Sequence, residues 1–280
     1  MMLAIRNLSV AFPGPEGPVR VVDDVSVEVG RGESLGIVGE SGSGKSMLSL
    51  ATIGLLPKSA RTSGGILLEG RNILTMGEKE LCGLRGRRIG MIFQEPMTAL
   101  NPAMTAGQQI AEGIRLHHGT GRAEARAEAL RLLDRVRIPD PARRIDSYPH
   151  EMSGGQRQRV GIAIALALKP DLLIADEPTT ALDVTVQKEI LDILDELVAD
   201  LGLSLILISH DLGVIARSTD RTLVMCRGRA VEDGPTEAVL RNPTAQYTRD
   251  LIAALPRRAR AGLGEPGLGE EARLAAGGTP

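Results

Sequence analysis

Gly39, Gly44, Lys45 and Ser46 stand at the spacing G-x-x-x-x-G-K-[ST], within Gly39-Glu40-Ser41-Gly42-Ser43-Gly44-Lys45-Ser46. That spacing suits phosphate. Several backbone N–H groups must point at one place, and residues without a Cβ let the main chain wrap that closely. Lys45 can reach the β and γ phosphates and Ser46 can ligate Mg²⁺, while a helix starting there aims its positive end at the same charge. By itself the loop leaves kinases, GTPases, helicases and transporters open.

Further chemistry-bearing residues follow short apolar runs. Leu172-Leu173-Ile174-Ala175 delivers Asp176 and Glu177, and two adjacent carboxylates are costly to bury unless a cation or proton offsets them. Mg²⁺ is the natural partner: Asp176 can hold the metal's shell while Glu177, pointing elsewhere, polarises a water. Gln94 ends the run Ile89 to Phe93, and His210 follows Leu205 to Ile208. Polar residues at one edge of one sheet can converge on a γ-phosphate, although a lone histidine is often structural. Ser153-Gly154-Gly155-Gln156 opens another apolar stretch, with Ser153 as N-cap and two small residues that suit a second anion site; a plain helix start is the competing explanation. Phe12 stands at a turn upstream of the phosphate loop. It can stack on adenine or plug the hairpin beneath it.

The elements that must position these residues are legible in the periodicity. Leu35, Ile37 and Val38 read as a buried strand before the loop, and Met47 to Leu56 as the helix after it. Leu3 to Val29 alternates in the manner of a β-hairpin or small antiparallel sheet around Pro13-Gly14-Pro15-Glu16-Gly17-Pro18. Gly64 to Gly70 is a further strand between turns. From Met104 to Val136 the pattern turns helical, as an insertion between strands, and Val184 to Leu201 is an amphipathic helix with Ile190, Leu194, Leu197 and Leu201 in register. Leu223 to Met225 and Arg229 to Glu232 form a hairpin, with short helices at 236–241 and 244–254. After Pro256 periodicity ends, which predicts a disordered tail.

Composition excludes more than it identifies. With 280 residues and 42% hydrophobic content the chain can bury one large domain or two lobes. A formal net charge of -2 gives no sign of a nucleic-acid partner. Cys82 and Cys226 are far apart and predict two plain thiols in a reducing compartment. The first residues lack the long apolar stretch of a signal peptide. The run Val160 to Leu168 is far shorter than the ~20 residues a membrane span requires.

Taken in order, Gly39–Ser46, Gln94, Ser153–Gln156, Leu172–Glu177, Ala181-Leu182-Asp183 and His210 resemble the Walker A, Q-loop, signature, Walker B, D-loop and H-switch of ABC-transporter ATPases. The resemblance runs from about residue 3 to 255. Gln94 to Pro102, Tyr148 to Gly155 and Asp176 to Thr185 look like the dipeptide, oligopeptide and nickel branch of importers. It implies an α/β P-loop NTPase fold with a mostly parallel core sheet, an N-terminal antiparallel β-subdomain and a helical subdomain inserted at about 95–160. The whole, 1–255, would be one nucleotide-binding domain and 256–280 a tail.

The resemblance further implies ATP and Mg²⁺ as cofactors, with Ser46, Gln94 and Asp176 at the metal and Glu177, His210 and Gln94 in catalysis. Ser153, Gly154 and Gly155 would meet nucleotide held by a second ATPase subunit, non-identical or identical, and Gln156 and Asp183 would also bind nucleotide. Residues 95–105 would touch transmembrane permease subunits at the cytoplasmic face of the membrane, and an extracytoplasmic solute-binding protein would take part indirectly. Relatives of this branch commonly carry a C-terminal cysteine cluster linked to an iron–sulfur centre; this tail has no cysteine, so no cluster is expected. A soluble ABC ATPase of DNA repair or translation is the other class to weigh, and a small-molecule kinase a third. The latter has no use for Ser153 to Gln156 or Glu177.

Overall fold

The computed structural model describes residues 1–94 and 99–255. The chain begins with β1 (Leu3–Phe12), β2 (Val19–Val29) and β3 (Ser34–Val38), then helix α1 (Lys45–Thr52), β4 (Arg61–Leu68), β5 (Arg71–Asn72), α2 (Glu78–Leu84) and β6 (Ile89–Ile92). Helices α3 (Ala106–His118), α4 (Arg122–Arg135), α5 (Pro141–Arg144) and α6 (Gly154–Leu166) come next. The remainder is β7 (Leu172–Asp176), α7 (Val184–Leu201), β8 (Ser204–Ile208), α8 (Leu212–Ser218), β9 (Arg221–Cys226), β10 (Arg229–Pro235), α9 (Thr236–Arg241) and α10 (Gln246–Ala253).

Two sheets result. One is antiparallel, in the order β2-β1-β4-β5: of the two arrangements expected it is the small antiparallel sheet, with β4 on the free side of β1. The other runs β10-β9-β3-β8-β7-β6 and is parallel from β9 to β6, with β10 antiparallel at its edge. Its strands read as unbroken apolar runs because both faces are covered, and alternate residues divide between two cores. Leu35, Ile37, Leu172, Ile174, Ile206, Ile208, Leu223 and Met225 join the antiparallel sheet and α1 in one cluster. Val38, Leu173, Ala175, Leu205, Leu207 and Val224 join the helices in the other. Gly36 lies in the middle of β3 because α8 crosses there: a Cβ would sit 2.6 Å from Ile215 Cγ2.

The helical stretch breaks in two at Gly119-Thr120-Gly121. Thr105 and Gln108 form a reciprocal capping box at the start of α3, and Gly119 ends it at φ 68, where a Cβ is disfavoured. Ile110, Ile114, Ala125, Ala129 and Leu133 pack these helices into the same core that backs the parallel sheet. The expected permease contact at 95–105 lies partly outside the described residues, which omit 95–98, and the tail from 256 lies wholly outside. Helix α7 spans Val184–Leu201 as its periodicity predicts. Lys188 and Asp192 are one turn apart on it, yet Asp192 and Asp195 both bond Arg217 of α8. Among the described residues no helix is long and apolar enough to cross a membrane.

Candidate nucleotide site

The phosphate loop joins β3 to α1, and its glycines serve different ends. Gly39 has φ 153, and a Cβ on it would run into Met225 O; Gly44, at φ 101, would strike Val21 O and approach Gly228. Both are therefore glycine because the loop presses on its own chain. Gly42 meets nothing within 4 Å and is required by its φ of 79 alone. The turn between β9 and β10 clamps the loop further, since Gly228 N–H donates to Ser43 O at 3.0 Å. Gly44 is the N-cap of α1 and brings no side-chain cap, which leaves the first N–H groups of that helix for a ligand.

Lys45 is buried, 5% exposed, and its ammonium rests inside the loop. Nζ donates to Gly39 O at 2.8 Å and Glu40 O at 2.9 Å. Burial lowers its pKa, against the pull of Glu177 and Asp176. Asp176, 3% exposed at the end of β7, faces the start of α1. Its oxygens lie 3.4 Å from the hydroxyls of Ser46 and Ser49. Burial pushes the Asp176 carboxyl above the usual range, and the neighbouring Glu177 adds to that, although the hydroxyls pull the other way. A carboxylate so placed calls for a cation, and Ser46 and Asp176 supply the hard oxygen donors that suit Mg²⁺. Ser49 is a neighbour the motif did not announce; its position three residues after Ser46 puts it on the same helix face. Gln94, expected at the metal, donates from Nε2 to Glu177 Oε2 at 3.1 Å.

Glu177 sits just past β7 at φ 47, a left-handed backbone rare for a residue with a Cβ, and its N–H donates to Ile208 O of β8 at 2.9 Å. The turn points its side chain along the sheet edge. Oε2 there collects Gln94 Nε2, Thr180 Oγ1 at 2.8 Å and His210 Nδ1 at 3.3 Å. Gln94 and His210 therefore meet on one carboxylate oxygen, as their places after β6 and β8 allow. Thr180 was not foreseen. Its only sequence signal is its place one turn after Glu177, where its N–H bonds Glu177 O.

The second glycine pair is a finished helix start. Ser153 Oγ accepts from Gln156 N–H at 3.3 Å and Gln156 Oε1 accepts from Ser153 N–H at 3.1 Å. A Cβ on Gly155 would lie 2.6 Å from Val186 Cγ1, and one on Gly154 would lie 3.4 Å from Leu182 Cδ2. Close approach at Gly155 is thus explained within the chain, by helix α7. Asp183 caps α7 by accepting from Val186 N–H at 3.0 Å. Phe12 ends β1, half-buried and packed on the antiparallel-sheet core, opposite Val19 and two residues along β2 from the Val21 carbonyl that abuts Gly44.

The ABC transporter family model matches residues 22–180, which hold the loop, Gln94, Ser153–Gln156 and Asp176–Glu177. The chain belongs to the ABC transporter family. It is 49% identical over 257 residues to the oligopeptide transport ATP-binding protein OppD of Salmonella typhimurium, covering 92% of this chain and 77% of that one. OppD of Escherichia coli K12 is 48% identical over 256 residues, with 91% and 76% covered. Among solved structures, the dimeric post-hydrolysis state of the ATP-binding cassette MJ0796 bound to ADP and Pi superposes with a TM-score of 0.75 at 27% identity, over 84% of this chain and 99% of the other. CbiO1 of Clostridium perfringens, part of the transporter complex cbiONQ, gives 0.73 at 29%, over 93% and 98%. These cassettes share the α/β architecture, with its parallel sheet beside an antiparallel one.

Proposed function

We propose that the chain is an ATP hydrolase, the energy-supplying subunit of an importer of di- or oligopeptides, docked on transmembrane permease subunits at the cytoplasmic face of the membrane. The observation that carries the catalytic part is the single carboxylate oxygen of Glu177 held by Gln94, Thr180 and His210 beside Asp176 and Lys45. With Oε2 occupied, Oε1 is left to accept the proton of an attacking water. Lys45 exchanges the carbonyls of Gly39 and Glu40 for phosphate oxygens. Ser46 and Asp176 would hold Mg²⁺, which neutralises charge on the phosphates when bound. His210 and Gln94 keep the base oriented from two different strand ends.

Peptide as cargo is supported by the names of the half-identical relatives. A nickel complex is the competing cargo, because the same branch of the family carries both and the cargo-selecting surfaces belong to other subunits. The capped Ser153–Gln156 helix start completes the nucleotide site of a second ATPase subunit, non-identical or identical, and a solute-binding protein delivers cargo from the far side. Coexpression with the adjacent permease genes tests this reading. The expected result is membrane-bound protein released by alkaline wash, with ATP turnover dependent on the permease. Recovery on DNA or ribosomes would replace the transporter with the soluble alternative.

A further inference from the structure

The two ends of the phosphate loop are clamped by backbone, Gly39 against Met225 and Gly44 against Val21 and Gly228. The arc between them, Glu40 to Gly42, is exposed. A cavity of about 520 Å³ separates this arc from α10, lined among others by Ser41, Arg227, Asp250 and Leu251. One side chain spans the gap: Tyr247 of α10, whose phenolic oxygen accepts the Glu40 N–H at 3.1 Å. Burial pushes that phenol's pKa up, so it stays a neutral acceptor.

Glu40 is the hub of the loop. Its carbonyl accepts the Ser43 N–H at 3.1 Å and the Lys45 ammonium at 2.9 Å. The Glu40 N–H lies in one peptide plane with the Gly39 carbonyl, which accepts the Lys45 ammonium at 2.8 Å, so a bond to that N–H orients one of the two carbonyls from which the lysine must depart. The bracing helix is itself anchored. Glu232 of β10 accepts from Thr244 N–H at 2.7 Å and Ala245 N–H at 3.2 Å at the start of α10, while Tyr247, Leu251 and Ile252 pack on the helical core.

We propose that Tyr247 is a positioning residue for the nucleotide: through Glu40 it braces the exposed arc of the phosphate loop, so that helix α10 sets nucleotide affinity without touching nucleotide. The inference rests on Gly39–Ser46 being the ATP site. Tyr247→Phe keeps the packing and removes the acceptor. In the full chain assembled with its permease subunits it raises the KM for Mg-ATP, and in the full chain alone it weakens ADP binding, each about 2- to 10-fold, the range expected for one net hydrogen bond. The turnover number stays within about two-fold, since the groups around Glu177 are untouched. Amide exchange gives a readout independent of nucleotide. The Glu40 N–H of the nucleotide-free chain exchanges faster in Tyr247→Phe, while the melting temperature barely moves. An unchanged Glu40 exchange rate, or an unchanged KM, overturns the brace. Failure of the unmutated chain to bind Mg-ATP would instead overturn the nucleotide site, and the brace with it.

Discussion

The helix starts at Gly44 and at Ser153-Gly154-Gly155 are both furnished with glycine, and they are built on opposite principles. At α1 the N-cap is Gly44, which offers no side chain, and the nearest cation, Lys45, is folded back on the loop's own carbonyls. At α6 the N-cap is Ser153, and a reciprocal box with Gln156 takes up the Gln156 N–H and the Ser153 N–H. The first start is open and occupied by a removable lysine, whereas the second is stable as it stands. A helix start of the first kind can take a ligand from solution. One of the second kind gains from a ligand only when another body brings it, which is what a shared site between two subunits would demand.

Substitutions can break or sharpen this contrast. The largest effect is expected from Glu177→Gln: turnover falls about 10²- to 10⁴-fold, the usual contribution of a general base, while ATP binding to the loop survives. Normal hydrolysis by this variant would remove Glu177 from the mechanism. Lys45→Ala should weaken ATP binding about 10- to 150-fold, the loss of a charged hydrogen bond, as read by nucleotide titration of the isolated chain.

Ser153→Ala should leave ATP binding to the isolated chain unchanged while costing about 0.5–2 kcal/mol of stability through the lost cap, and should weaken ATP-dependent dimerisation. If it instead cut ATP affinity as deeply as Lys45→Ala, the two helix starts would not differ in the way described.

The smallest effect concerns charge. Asp176 has its carboxyl held above the unfolded value by burial, so its ionised form costs stability when no cation is bound. That cost is absent below the unfolded pKa, grows as pH rises through the interval up to the raised folded pKa, and is complete above it. Asp176→Asn should therefore melt higher than the unmutated chain at neutral pH without Mg²⁺, by about 2–4 °C per kcal/mol recovered, and the advantage should fade on acidification. A lower melting temperature for the variant would show that the carboxylate is already compensated.

Much of this was legible in the chain because it is written locally. The boundaries of α7 follow from apolar spacing, and Ser153 is legible as the cap of α6; that Asp183 caps α7 is seen in the structure. The glycine loop was legible as a phosphate site, but the reason for two of its glycines was not. Gly39 and Gly44 answer to Met225 and Val21, carbonyls brought in by other strands. Gln94 was legible as a polar residue at a strand end, but the bond from its amide to Glu177 was not. Thr180 and Ser49 escaped notice because hydroxyls are common and only their neighbours give them meaning. Tyr247 escaped for a stronger reason, since no pattern near it points to a loop 207 residues earlier.

The sequence by itself determined that a glycine loop with phosphate-binding spacing exists, which strands and helices carry it, and which two carboxylates follow β7, since periodicity, caps and a Cβ-free loop act over a few residues. Only the tertiary structure decided which partner each polar atom takes. Ser46 meets Asp176 across 130 residues, and Gln94 meets Glu177 across 83. Such pairings depend on strand order and on a few ångströms of backbone placement, and the packing of distant apolar residues sets both.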